Sequence, residues 1–163
     1  MGLFKKKKSD HKILAMVSGH TYPIEKVEDK VFSSKLMGEG IAIKPDEGRI
    51  YAPSSGKVLF ANPEMPHSIG LKLDNGLEVM IHIGINTVNL SKNIFDLKVK
   101  KKEHVRSGEI LIEFDKKKIL ENQCSDMVML IITGNDKYKP EQFYFLEDKD
   151  VIGGKDTIIE IKH

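Results

Sequence analysis

Between residues 38 and 62 the chain reads GEGIAIKPDEGRIYAPSSGKVLFAN. Three short apolar pieces (Ile41 to Ile43, Arg49 to Ala52, Lys57 to Ala61) are cut apart by Pro45-Asp46-Glu47-Gly48 and Pro53-Ser54-Ser55-Gly56. Proline fixes φ at the start of a turn and glycine permits the positive φ near its end, so each tetrapeptide is a turn signal of type I or II. No helix of ordinary length fits between them, which constrains the fold more than any other feature. Further strands are expected at 69–73, 77–83, 110–114 and 128–132, all rich in Ile, Val, Leu and Met. Strands at this spacing point to an all-β antiparallel sandwich or barrel rather than to alternating strands and helices. Helix is scarce, with one or two turns expected in KKKILENQ (116–123).

With 163 residues there is room for one domain with a real core. No internal linker interrupts it, so the expected organisation is a basic N-terminal tail over 1–10 and a single domain over 11–163. The formal net charge is +2, and so balanced a chain offers no general electrostatic footprint for nucleic acid. The one cysteine, Cys124, excludes an internal disulfide and suits a reducing compartment. MGLFKKKKSD has no apolar core of signal-peptide length, and no apolar stretch approaches the roughly 20 residues that cross a bilayer. The expected location is therefore cytoplasmic. Residues 2–8 form a candidate weak membrane contact, with Leu3 and Phe4 dipping in and Lys5 to Lys8 attracted to anionic lipid.

The segment EVMIHIGINTVNL (78–90) places His82 inside an apolar β-branched run, with Gly84 two residues later. A second histidine, His67, opens HSIGLKLDNGLEVMIHIG, a hairpin candidate around Asn75-Gly76. With a two-residue loop Ile69 faces His82 and His67 faces Gly84, so the two imidazoles are diagonal neighbours on one face. A three-residue loop would shift the register by one and send them to opposite faces. Gly84 would leave open space over the pair and let its amide approach an anion, and Thr87 would supply a hydroxyl nearby. Three chemistries are open to such a pair. A metal site needs a third ligand, for which Asp29 and Glu39 are candidates that nothing in the sequence fixes. A general base needs a nucleophile to activate, and no serine or cysteine motif stands out. The third is that His82 is itself the nucleophile, its neutral imidazole taking up a phosphoryl group.

GLEVMIHIGINTVNL resembles the active-site signature of the glucose-type enzyme IIA domains of the bacterial phosphoenolpyruvate-dependent sugar phosphotransferase system. VFSSKLMGEGIAIKPDEGRIYAPSSGKV is similar to that family's first sequence block, and HSIGLKLDNG to the segment carrying its second histidine. VRSGEILIEFD and MVMLIITGND fall where the family has its last core strands, so the resemblance runs from about Gly19 to Asn135. It implies an antiparallel sandwich of the duplicated hybrid motif kind. It also implies a phosphoryl carrier without a cofactor or metal, which accepts phosphate from phosphorylated HPr and passes it to a cysteine of a IIB domain during sugar uptake. Carried over by position, His82 is phosphorylated on Nε2 and His67 is the companion that holds the phosphoryl group, with Gly84, Asn86 and Thr87 in support. The docking ring for HPr and IIB would comprise Val31, Phe32, Leu36, Met37, Met80 and Val88, with Asp29 as its acid. Phe32 and Met80, large and soft, suit an interface best, whereas Val31 and Leu36 read equally well as core.

The chain also departs from the family pattern. Met65 stands where a threonine is common and Asn86 where an aspartate is common. SKNIFDLKVKKKEHVRSG (91–108) lacks the usual Gly-rich stretch and carries lysines instead; His104, within it, is expected to be exposed. Two halves also resemble lipoyl-type carrier motifs, but the Asp74-Asn75-Gly76 tip has no lysine to modify, and a zinc peptidase of related fold would need His-x-His where HIG stands. A regulator that binds other proteins according to its phosphorylation state would share every site residue.

Overall fold

The computed structural model describes residues 11–162, so the basic segment 1–10, with its expected membrane contact, lies outside the described residues. In chain order the strands are β1 (Lys12–Leu14), β2 (Gly19–Pro23), β3 (Gly40–Pro45), β4 (Arg49–Tyr51), β5 (Gly56–Phe60), β6 (Ser68–Leu73) and β7 (Glu78–Ile85). They continue as β8 (Phe95–Leu97), β9 (His104–Val105), β10 (Ile110–Phe114), β11 (Ser125–Gly134), β12 (Phe143–Phe145), β13 (Asp150–Val151) and β14 (Thr157–Ile161). Two short helices, α1 (Lys30–Ser33) and α2 (Lys116–Glu121), complete the set with a few 3-10 turns. Every strand expected from the turn signals is present, and all pairings are antiparallel. An eight-stranded sheet runs β13-β2-β3-β11-β7-β6-β5-β9, and two three-stranded sheets run β1-β14-β12 and β4-β10-β8. No described helix is long and apolar enough to cross a membrane.

Strand pleating explains how one sheet serves two cores. Side chains alternate between faces. On the inner face Ile41 and Ile43 of β3, Val79, Ile81 and Ile83 of β7, and Val128 and Leu130 of β11 join Ile50, Leu111, Ile112, Ile158 and Ile159 of the small sheets in the main core. On the outer face Ala42, Met80, Met129 and Ile131 form a second cluster with Ile24, Val27 and Phe32, contributed by the segment that leads into α1. Central strands covered on both sides lose the apolar–polar alternation, which is why β7 and β11 read as unbroken apolar runs. His82 belongs to the outer face, where it sits opposite Met129 of β11 and Ser68 of β6.

The β6–β7 hairpin corrects the register expected from its sequence. Ser68 pairs with His82 and Ile69 with Ile81, one residue away from the two-residue-loop alignment. The loop has three residues: Leu73 N–H donates to Leu77 O at 2.8 Å, and Gly76 N–H donates to Leu73 O at 2.9 Å. Gly76 holds φ +99, the left-handed residue that closes a three-residue hairpin. The buried Asn75 side chain accepts the Leu77 N–H at 3.0 Å, so asparagine turns the chain through its amide rather than through its own positive φ.

Candidate functional site

The two histidines meet in spite of the register. Their ring centroids lie 4.9 Å apart with the planes at 77°. His67 lies in the turn just before β6, with its carbonyl accepting the Ile83 N–H at 2.7 Å. The pleat that governs Ser68 onward does not dictate the direction of the His67 side chain, and the opposite-face consequence of a three-residue loop therefore does not apply. His67 is 5% exposed, while His82 is partly exposed and lines a cleft of 280 Å³.

His82 Nδ1 is 2.9 Å from the carbonyl oxygen of Gly84. A carbonyl can only accept, so Nδ1 carries the proton and Nε2 is left with a free lone pair. Burial, with His67 beside it, pushes the His82 pKa down from 6.5 to about 4, against the smaller opposing pulls of the Gly84 carbonyl and Asp29. Burial also lowers His67, so both rings are neutral at neutral pH. An NMR pH titration should accordingly place the His82 midpoint near 4; a midpoint at or above 6.5 would contradict the environment described. The unfolded chain takes up this proton near pH 6.5 and the folded chain only near 4. The stability contributed by neutral His82 is thus complete above neutrality and falls as pH drops through that window, by about 3 kcal/mol.

Gly84 has a different task from the one expected of it. It holds φ +79, and a Cβ there would lie 2.4 Å from Thr87 Cγ2 and 2.7 Å from Ser125 O. The space is already filled by Thr87 and by β11, whose register shifts between Ser125 and Val128 opposite this residue. Gly84 therefore permits close packing and aims its carbonyl at His82; it does not clear room over the pair. Thr87, 1% exposed, donates its hydroxyl proton to Ile83 O at 2.6 Å and so has no donor left for an anion. Asn86 takes the left-handed conformation at φ 62, which asparagine tolerates better than most residues.

The cleft beside His82 is lined by Asp29, Val31, Phe32, Met37, Met80, Asn86, Thr87 and Val88. All but one of the expected ring residues are thus brought together, and Leu36, 81% exposed, follows α1 in the same segment. Phe32 and Met80, expected to suit an interface best, are the buried members, and Val31 and Leu36, which read equally well as core, are exposed. Phe32 (6% exposed) and Met80 (9%) are buried in the second core, and the Phe32 ring packs 5.0 Å from that of His82. Val31, Leu36, Met37 and Val88 carry the exposed apolar surface. The cause is α1: the Asp29 carboxylate caps it by accepting the Val31 N–H at 2.9 Å, and one helical turn then sends Phe32 inward and Val31 outward. Phe32→Ala should cost about 3 kcal/mol of stability, and Leu36→Ala within about 0.5 kcal/mol of nothing; denaturant titration of both variants checks the assignment.

Sequence reasoning missed Ser68, which the true register sets directly across from His82. The Asx-turn potential of Asn75 was the signal that could have found it. Met65 is exposed, and His104, exposed as expected, lies 3.1 Å from Asp74 Oδ1. Among the described residues no group of three or more His, Cys, Asp or Glu side chains is arranged to hold a metal ion. The donor set thus offers a nucleophilic imidazole in an apolar cleft, with a second neutral imidazole at its side.

Comparisons with known proteins bear on the family and the fold. A family model described as "phosphoenolpyruvate-dependent sugar phosphotransferase system, EIIA 1" matches residues 11–138. Among solved structures, the glucose permease IIA from Mycoplasma capricolum superposes with a TM-score of 0.82 at 31% identity, over 91% of this chain and 93% of that one. Helicobacter pylori Csd3 reaches a TM-score of only 0.44 at 12% identity, over 92% of this chain and 42% of that one, and carries no argument.

Proposed function

The chain belongs to the EIIA 1 family of the phosphoenolpyruvate-dependent sugar phosphotransferase system, and from that premise we propose that it is a cytoplasmic phosphoryl carrier. It accepts a phosphoryl group from phosphorylated HPr on Nε2 of His82 and passes it to a cysteine of a IIB domain serving sugar uptake. The observation that carries this reading is the hydrogen bond from His82 Nδ1–H to Gly84 O. It fixes the tautomer in which Nε2 is unprotonated and carries a free lone pair.

Phosphoryl transfer asks a protein mainly for in-line positioning and for charge placed where the phosphoryl oxygens are. As the bond from phosphorus to Nε2 forms, the bond from phosphorus to the donor breaks, and no proton has to leave Nε2. The incoming group brings negative charge to the edge of His67, whose ring is otherwise held neutral by burial. A nearby anion favours the protonated form, so His67 gains a proton as the phosphoryl group arrives and then holds its oxygens. The apolar rim of Val31, Met37 and Val88 excludes water when a partner docks.

Incubation with phosphoenolpyruvate, enzyme I and HPr should add one acid-labile phosphoryl group per chain, which a matching IIB domain then removes. An unlabelled chain under conditions that label a control IIA domain would refute the proposal. His67→Gln should still accept the group but hand it on at least about tenfold more slowly, having lost the charge that forms only beside the phosphoryl group.

A further inference from the structure

Gly84, whose carbonyl prepares His82, is the one residue of β7 without a registered partner on β11. Val128 of β11 faces Ile83, so an unbroken pairing would set Met127 across from Gly84 and Asp126 across from Ile85. Ser125 faces Ile85 instead, and Asp126 and Met127 together stand opposite Gly84. One extra residue on one strand is a β-bulge, which bends its strand and re-aims the groups beside it. Ile83 N–H points to β6, where it donates to His67 O. Peptide groups alternate sides along a strand, so regular pairing would turn the Gly84 carbonyl to β11 as the acceptor for Met127 N–H. In the bulge Met127 N–H donates to Ser125 Oγ at 3.2 Å, and Gly84 O accepts from His82 Nδ1–H.

Strand pairing does not hold this bulge in place. On the other edge of β11 the pairing with β3 also stops at Val128, opposite Ile43. Side chains hold it. Asp126 is completely buried, and one of its carboxylate oxygens accepts from the Lys44 ammonium of β3. The other oxygen makes no hydrogen bond and lies 3.5 Å from the Lys116 ammonium at the start of α2. Both lysines reach inward from partly exposed positions. Burying such a set of charges adds little net stability, and an apolar set of similar volume is often as stable or more so. What the charges add is position. A carboxylate gripped from two different elements resists the one-residue slip that would restore a regular ladder at Gly84.

We propose that Asp126 is a positioning residue for phosphoryl transfer: gripped by Lys44 and Lys116, it locks the β11 bulge that reserves the Gly84 carbonyl for His82. This rests on the phosphoryl-carrier reading and extends it to a carboxylate that does not line the cleft.

Asp126→Asn tests it, because it keeps the shape and removes the charge. At neutral pH the nitrogen NMR shifts of the His82 ring should report nearly pure Nδ1–H in the unmodified protein and a mixture of tautomers in the variant. Uptake from phosphorylated HPr should slow at least about tenfold where the variant is fully folded. The HPr concentration giving half-maximal rate should not change, since the cleft rim is untouched. A triple variant, Asp126→Leu with Lys44→Met and Lys116→Met, separates position from stability. It should melt no lower than the unmodified protein and yet show the same mixed tautomer and slowed uptake. If Asp126→Asn does not fold, the triple variant decides by the same readouts. A folded variant with the ring still pure Nδ1–H and uptake unchanged overturns the inference and leaves the carrier reading intact. Uptake that falls only in proportion to the unfolded fraction, with the tautomer unaltered, also overturns it. If the unmodified protein takes up no phosphate, the carrier reading falls, while the ring spectra, which need no partner, still decide whether Asp126 positions His82.

Discussion

His82→Ala should leave a folded protein that takes up no phosphate from HPr, a loss on the order of 10⁵–10⁶ in rate. Nothing near the cleft can take over as nucleophile. His67 is 5% exposed, Thr87 has committed its hydroxyl proton to Ile83 O, and the Cys124 thiol donates to Asn86 O at 3.5 Å and is not among the residues lining the cleft. The variant should keep its fold because the inner face of β7, with Val79, Ile81 and Ile83, is untouched. Losing the ring contact with Phe32 should cost about 1 kcal/mol. His82→Gln, closer in volume, provides a second variant in case the alanine cavity disturbs Phe32. Label retained by either variant, measured as acid-labile phosphate per chain, would place the acceptor elsewhere.

Gly84→Ala should also slow uptake, although it removes nothing. The residue would be asked to hold φ +79 with its Cβ 2.7 Å from the Ser125 carbonyl oxygen. The left-handed conformation costs an L-residue about 1–2 kcal/mol and overpacking about 1–3 more, so a stability loss of about 3 kcal/mol is expected in denaturant unfolding. Whatever relief the strand finds must rotate or shift the peptide whose oxygen accepts from His82 Nδ1–H. Displacement on the ångström scale at a reacting group costs on the order of 10² in rate. Uptake should therefore slow by about that factor even at temperatures where the variant is fully folded. The His82 titration midpoint should move at the same time, which a purely global loss of stability would not produce. Normal uptake by a well-folded Gly84→Ala would show that the carbonyl plays no part in preparing the ring.

The strands were legible because proline and glycine mark their ends and β-branched residues fill them; β3, β4 and β5 between the two Pro-to-Gly turns are the clearest case. The strands β1, β2, β8, β9, β12, β13 and β14 were not anticipated, since short strands beside polar turns carry little pattern. At the hairpin, Asn75-Gly76 signalled a reversal but not its length. The choice lies in whether the Asn75 amide or its backbone makes the turn, and burial of that side chain is a tertiary fact. The meeting of His67 with His82 was foreseen through a register the protein does not use, and depends on His67 standing just outside β6. The residues lining the cleft beside His82 were named almost completely, but the burial of Phe32 and Met80 was not foreseen. A helix of four residues has no periodicity to read, and only the cap at Asp29 reveals which way Phe32 turns.

The acceptor that prepares His82 is a main-chain oxygen, contributed by the same strand two residues along. A side-chain acceptor such as aspartate would itself titrate and would appear in any systematic replacement of side chains. Here a scan that truncates each cleft side chain in turn would register His82 and pass over the group that sets its tautomer, because that group belongs to no side chain. Replacing the peptide that follows Gly84 with an ester, which weakens that oxygen as an acceptor without adding an atom to the cleft, is the kind of change that would expose it. The smallest residue in the strand thus holds a part of the chemistry that comparing side chains alone would assign to none of them.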